Sequence, residues 1–140
     1  MPRKRIDGGK SMYKELIISI IAVGLVVIGN IVTQNNTIES VQEVSSSLME
    51  LREEIKKENV DQEKSKKLMD KVDGVWEERY EKMAYYIEHN ELEKVETELA
   101  KLRADIDMEE YAQGVENLDN CIFIMEHIKD KNALKIVNVF

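Results

Sequence analysis

A chain of 140 residues that is 34% charged and 6% aromatic, with six glycines and Pro2 as its one proline, has a helical composition that argues against a β-sandwich or an α/β sheet. Its net charge of −8 argues against nucleic acid as a partner, because an acidic body repels a phosphate backbone. A single cysteine, Cys121, rules out an internal disulfide and reads as a small buried hydrophobe on a helix.

The charge is unevenly placed. Arg3, Lys4, Arg5, Lys10 and Lys14 outweigh Asp7 and Glu15, so the first fifteen residues carry +3. Residues 16–38 are neutral, and the remainder therefore carries −11. Within the neutral run, residues 16–32 (LIISIIAVGLVVIGNIV) are strongly apolar. As a helix these 17 residues cover about 25 Å, and the polar, uncharged residues 33–37 extend it toward an interface. The segment can span a bilayer, at the short end of the usual range. A buried core helix passes the same length test but is seldom apolar on every face. Leu16, Ile20, Val23, Val27 and Ile31 are the expected anchor residues, in contact with membrane lipid.

No small-x-small cleavage site follows the apolar core and no cysteine stands directly after it, which favours an uncleaved signal-anchor over a signal peptide or a lipoprotein anchor. The basic excess ahead of the segment predicts a cytoplasmic N-terminus. The expected organisation is a basic cytoplasmic tail over 1–15, a transmembrane helix over 16–35 and an acidic domain over 36–140. The protein would then be single-pass in the cytoplasmic membrane, with its body outside. Gly24 and Gly29 lack the GxxxG spacing, so the anchor carries little dimerisation signal.

Four helical segments follow. The first, over 37–57, sets Ile38, Val41, Leu48, Leu51 and Ile55 at steps of three and four, with Val44 or Ser45 filling the gap. Nothing between it and the anchor decisively breaks a helix. The second, over 61–88, has the stripe Leu68, Val72, Val75 with Trp76, Tyr80, Met83 and Ile87. Between them, Asn59 with Gln62 has capping-box spacing, which favours a turn, although no Pro or Gly enforces one. The third starts after Asn90, with Glu93 at N3, and carries the cleanest stripe: Leu92, Val95, Leu99, Leu102 and Ile106. Asp107 with Glu110 signals the start of the fourth, over 108–129, with Tyr111, Val115, Leu118, Ile122 and Met125 on one face. The tail from Asn132 to Phe140 is apolar enough to be expected to dock. Short connections between the later helices require antiparallel neighbours, so the expected fold is all-α: a transmembrane helix followed by an antiparallel bundle of three to four helices. Trp76, Tyr80, Leu99, Leu102, Leu118 and Ile122 are the expected packing or interaction residues. An extended coiled coil is the competing arrangement, opposed by the helix-start signals at Asn90 and Asp107.

Several strings point to a relative. Trp76 and Tyr80 lie in WEERY, residues 87–92 read IEHNEL, residues 99–103 read LAKLR, and Glu126-His127-Ile128 is followed by Asn138-Val139-Phe140. With the apolar N-terminal segment, these resemble a family of small Gram-positive bacterial proteins described only as a domain of unknown function. The resemblance covers most of the chain from Leu16 onward and implies a membrane-anchored helical domain with no known activity. The extension over residues 1–11 departs from that pattern, and Met12 is an alternative start.

One candidate site emerges. Both histidines follow a glutamate, as Glu88-His89 and Glu126-His127. In an antiparallel bundle both pairs fall at one end, beside Glu91 and Glu93, and two imidazoles with carboxylates are acceptable zinc ligands. The competing reading is helix capping, since a cationic His near a helix C-terminus interacts favourably with the dipole. The candidate metal set is His89, His127, Glu88 and Glu91. Neither HExxH nor a di-iron E-x-x-H spacing occurs. Gly8-Gly9-Lys10-Ser11 lacks the strand and glycine pattern of a phosphate loop. Tyr85, Tyr86, Phe123 and the tail are expected near lipid head groups if the second helix folds back on the first. No cofactor is indicated. The expected function is a non-enzymatic extracytoplasmic module that binds a protein partner or self-associates; the alternative is a sensor or metal-binding domain using the His89/His127 end.

Overall fold

The computed structural model describes the backbone of residues 8–137 and the side chains of residues 9–134. Four helices account for it: α1 (Gly8–Ile55), α2 (Gln62–Met83), α3 (His89–Asp107) and α4 (Tyr111–Val137). There is no strand among the described residues. The chain forms two compact units, one ending at Thr33 and the other beginning at Gln34.

In the first unit the apolar residues lie open on every face. Leu16, Ile20, Val23 and Ile31 are all more than half exposed, and Val27 is partly covered. The polar side chains close on their own helix: Ser19 Oγ donates to the Glu15 carbonyl at 2.9 Å and Thr33 Oγ1 to the Gly29 carbonyl at 2.7 Å. This one helix is long and apolar enough to cross a membrane.

The second unit is an up-down-up-down bundle of four helices. Arg79 meets Glu43, Lys71 meets Glu50 and Lys64 meets Glu54, so numbers rise along α1 as they fall along α2. Arg103 against Asp70 and Asp73, with Lys66 near Asp107, makes α2 and α3 antiparallel. Glu91–Lys131 and Asp105–Asn117 do the same for α3 and α4. Thr37–Asn132 and Arg52–Asp119 close α4 back on α1.

The core follows the helical period. In α1, Val41, Val44, Leu48, Leu51 and Ile55 are buried at steps of three and four. In α3, Leu92, Val95, Leu99, Leu102 and Ile106 are buried, as expected. Trp76 and Leu118 are buried as well, while Tyr80 and Ile122 are half-buried against the cluster. The α2 stripe differs from the one read in sequence. Its buried face is Ser65, Met69, Val72, Trp76, Arg79 and Met83, which leaves Leu68, Val75 and Ile87 at the margin. The unbranched methionines fill the centre of the bundle, where an adaptable side chain fits an irregular gap. The face of α4 is likewise centred on Leu118, Cys121, Met125 and Ile128, with Tyr111 and Val115 at its edge.

The helix ends also correct the sequence reading. α2 is capped by Asp61 rather than Asn59: its carboxylate accepts from the Lys64 N–H at 3.0 Å. α3 begins at His89 with Glu88 at the cap, so Asn90 lies inside the helix. The Glu91 N–H already donates to the Glu88 carbonyl at 3.0 Å, and Lys131 of α4 holds the Glu88 side chain at 3.5 Å. α4 starts at Tyr111 rather than 108 because a Schellman turn ends α3 first. There the Glu110 N–H donates to the Asp105 carbonyl at 2.8 Å and the Glu109 N–H to the Ile106 carbonyl at 3.3 Å. Glu109 takes φ 60°, a left-handed conformation usually given to glycine. The expected separate tail is helical through Val137; Asn132 is buried but Leu134 is exposed. The side chains of Ile136 and Val137, and all of Val139 and Phe140, lie outside the described residues.

Glu54 closes the first reversal. Its carboxylate is almost fully buried and accepts from Lys57 Nζ at 2.6 Å, Lys64 Nζ at 2.7 Å and the Asp61 N–H at 3.4 Å. The hydrogen bonds from Lys57 and then Lys64 hold this carboxyl at about 2, against an ordinary value of 4.5. A depressed folded-state value means stability that is fully present above the ordinary value and lost as pH falls through the lower one. The urea midpoint of the full chain in detergent, read by Trp76 fluorescence, is expected to decline between pH 4.5 and about 2. Glu54→Gln should flatten that decline; an unchanged profile would contradict the assignment.

Two substitutions test the backbone reading. Gly74 lies within α2 with nothing within 4 Å of an added Cβ, so Gly74→Ala should stabilise by about 1 kcal/mol. Glu109→Gly should stabilise by roughly 0.5–1 kcal/mol by removing the left-handed strain at the Schellman turn. Equilibrium urea unfolding measures both, and a loss of stability at either position would count against the geometry described.

Candidate functional site

The residues picked from the sequence for metal binding share one end of the bundle but do not form a ligand set. His89 and His127 are both exposed. Glu91 is buried, and its carboxylate receives Lys131 Nζ at 3.2 Å and Lys94 Nζ at 3.4 Å; Glu88 is drawn to the same Lys131. Burial raises the Glu91 carboxyl, but the hydrogen bonds from Lys131 and Lys94 outweigh it and leave it below its ordinary value. Among the described residues no three His, Cys, Asp or Glu side chains come together to hold a metal. The ammonium of Lys131 occupies the charge role assigned to a cation, and a metal beside it would be repelled. One Glu91 oxygen is buried without a partner, beside a cavity of about 10 Å³ lined by Ile87, Ile128 and Asn132. That volume is about the size of one water.

The same end holds a polar latch that the sequence reading missed. Asn132 Nδ2 on α4 donates to Thr37 Oγ1 on α1 at 2.9 Å, and both side chains are buried. Asn36 Nδ2 donates to the Tyr86 hydroxyl at 2.8 Å, and Thr37 Oγ1 lies 3.3 Å from the same hydroxyl. Three chain segments are thus joined through amides and hydroxyls. One signal was available: Thr37 sits four residues before Val41, on the extension of the α1 stripe, where an apolar residue would be expected. α2 does fold back on α1, which brings Tyr85 and Tyr86 to this end. Tyr86 turns inward, and Tyr85 is 91% exposed. Phe123 is exposed but does not join them, since it lies nine residues before Asn132 on α4, about 13 Å away along the helix.

A second feature is the seam between α2 and α3. Trp76 and Tyr80 meet edge to face, with ring centroids 5.7 Å apart at 63°. Beside them lie two adjoining recesses of about 220 and 300 Å³ that share Trp76, Glu77 and Glu96. Ala100 and Arg103 line one recess, and Tyr80 and Glu81 the other. The charged residues over 50–71 pair partly along one helix, as Glu63–Lys67 at 3.0 Å. Two further links, Glu50–Lys71 and Glu54–Lys64, cross between helices.

These features define a charged up-down helical bundle preceded by an apolar helix, with a buried polar latch and one aromatic, acid-flanked groove. A family model described as Domain of unknown function (DUF4363) matches residues 31–139, and the chain belongs to that family. No curated protein and no solved structure matches the chain.

The latch predicts a coupled loss. Thr37→Val strands the Asn132 amide, and Asn132→Ala removes its donor; each should cost about 1–3 kcal/mol in urea unfolding of the full chain. The double substitution should cost less than the two single losses added together, by at least about 0.5 kcal/mol. Strict additivity would show that the two side chains do not act as a pair.

Proposed function

We propose that this protein is a non-enzymatic module of the cytoplasmic membrane. A single-pass anchor displays an acidic helical bundle outside the cell membrane, where it acts by binding a protein partner or by self-association. The observation that carries this reading is the contrast between the two units. The first is a helix whose apolar side chains stay open on every face, and the second buries its own stripes beneath a charged surface. Apolar side chains open on all sides are favourable in lipid and costly in water. The net +3 ahead of the apolar helix supports an inside N-terminus, since basic residues remain on the cytoplasmic side.

A single-cysteine test reads out the topology. Asn59 is exposed in the α1–α2 turn and takes part in none of the interactions that close it, so Asn59→Cys in a Cys121→Ser background is a suitable reporter. The wild-type chain, with Cys121 as its one thiol, serves as a separate blank: that thiol is buried, and burial pushes it up to about 12. Labelling of intact cells by a membrane-impermeant maleimide, with the protein in the membrane fraction, is the expected outcome. Labelling only after permeabilisation would place the bundle in the cytoplasm and overturn the orientation.

A further inference from the structure

Among the described residues, the buried side-chain atoms without a hydrogen-bond partner are Ser45 Oγ, Trp76 Nε1, Glu91 Oε2, Glu98 Oε2 and the Tyr111 hydroxyl. Of these residues only Trp76 and Glu91 are more than nine-tenths buried, at 5% and 7% exposed. Glu91 carries a charge, and an ionised oxygen kept from water without a donor is the costlier of the two defects. The donors at this end of the bundle are engaged elsewhere. Lys131 Nζ and Lys94 Nζ both donate to the other oxygen, Glu91 Oε1, at 3.2 and 3.4 Å. Lys131 also reaches Glu88 Oε2 at 3.5 Å, and Asn132 Nδ2 is turned to Thr37 Oγ1 at 2.9 Å.

Glu91 lines a cavity of about 10 Å³ with Ile87, Glu88, Ile128, Lys131 and Asn132. That is about the least volume that holds one water, and it is too small for a larger ligand. An ammonium has three donors and an amide nitrogen two, so Lys131 and Asn132 each keep a hydrogen beyond the bonds just named. One acceptor without a donor and two groups with a donor to spare therefore line the same water-sized space. A buried water needs two to four such partners. The local charges select a neutral occupant. A cation would lie beside the Lys131 ammonium, and an anion beside the Glu88 and Glu91 carboxylates. Among the described residues no three metal-ligating side chains converge here.

We propose that one ordered water occupies this cavity, donating to Glu91 Oε2 and accepting from Lys131 Nζ and Asn132 Nδ2. It completes the buried carboxylate, and a bridging water is nearly as favourable as a direct hydrogen bond. It also carries the α3–α4 ion pair into the latch, because Asn132 holds Thr37 of α1 as well. α1, α3 and α4 are then tied at this end by one continuous polar network. The site stands whether or not the bundle binds a partner.

A crystal structure of the full chain in detergent tests it. A single isolated density peak is expected about 2.5–3.0 Å from Glu91 Oε2, with Lys131 Nζ and Asn132 Nδ2 also in hydrogen-bond range. Glu91→Met keeps the length of the side chain and removes the acceptor, so the peak should vanish. In solution, the Ile87 and Ile128 methyl groups line the cavity. Their NMR cross-relaxation with water should have the sign of a bound molecule in the wild type and be lost in Glu91→Met. Lys131 and Asn132 carry exchangeable protons able to relay such a signal, but both are present in each protein, so the difference reads the water alone. Direct pairing of Glu91 Oε2 with Lys131 or Asn132, with no peak, would overturn the proposal. A peak that survives in Glu91→Met would overturn it too, as would a peak at the shorter contacts of a metal ion. Should Glu91→Met fail to fold, the wild-type structure decides by itself.

Discussion

The buried carboxylate of Glu54 stands where the first helix has to stop. No proline or glycine lies between Ile55 and Gln62, so the backbone there could continue as helix. What ends it is a set of donors that converge only when the chain turns back: Lys57, Lys64 and the Asp61 N–H on one carboxylate. Asp61 then caps the next helix through the Lys64 N–H. A burial that would be costly for an unpaired charge becomes favourable once these partners are in place. The antiparallel order of the later helices depends on this reversal, because it brings the α1 and α2 stripes face to face.

At the opposite end the same logic operates with neutral groups. Thr37, Asn132, Asn36 and Tyr86 form hydrogen bonds between α1, the α2–α3 turn and α4. An apolar stripe at steps of three and four tolerates a slide along the helix, since Leu, Val and Met occupy similar volumes. A buried amide and hydroxyl do not, because a slide of one turn leaves both unpaired. Arg79 at the α1–α2 seam has the same effect: it is buried in the α2 face and satisfied where Glu43 and Glu39 of α1 meet it. Polar contacts thus define one register for a core whose burial supplies most of the stabilisation.

That division of labour explains what could be read in advance. The stripe of α3 was legible because five apolar residues follow the helical period without interruption; that of α1 was legible from Val41 to Ile55, with Val44 filling the gap, while Ile38 is only partly buried. The α2 face was displaced because Leu68 and Val75 are as apolar as Met69 and Met83; only the fit of the long thioethers into the centre decides between them. Helix starts were misplaced by up to three residues for a related reason. Asn59, Asn90 and Asp107 have the chemistry of caps, but the backbone turned where Asp61, Glu88 and the Glu109 turn satisfied it together with neighbouring helices. The histidine site failed for want of one fact, the register of α4. That register puts Lys131, not an imidazole, against Glu91. The recesses between α2 and α3 were visible in sequence only as two aromatics expected to pack, because a recess is formed by helices that meet only in the folded bundle.

By itself the sequence determined the helical class, the apolar anchor-like segment, the acidic body and the stripes that must be buried. Each of these follows from local composition and a period of three to four residues, which act without knowledge of distant neighbours. Tertiary structure alone decided the sharp return after Ile55, the register between helices, the pairing of Glu91 with Lys131 and the opening of one seam. Each of these depends on residues dozens of positions apart meeting in one geometry, and a charge or amide finds its partner only after the bundle has closed.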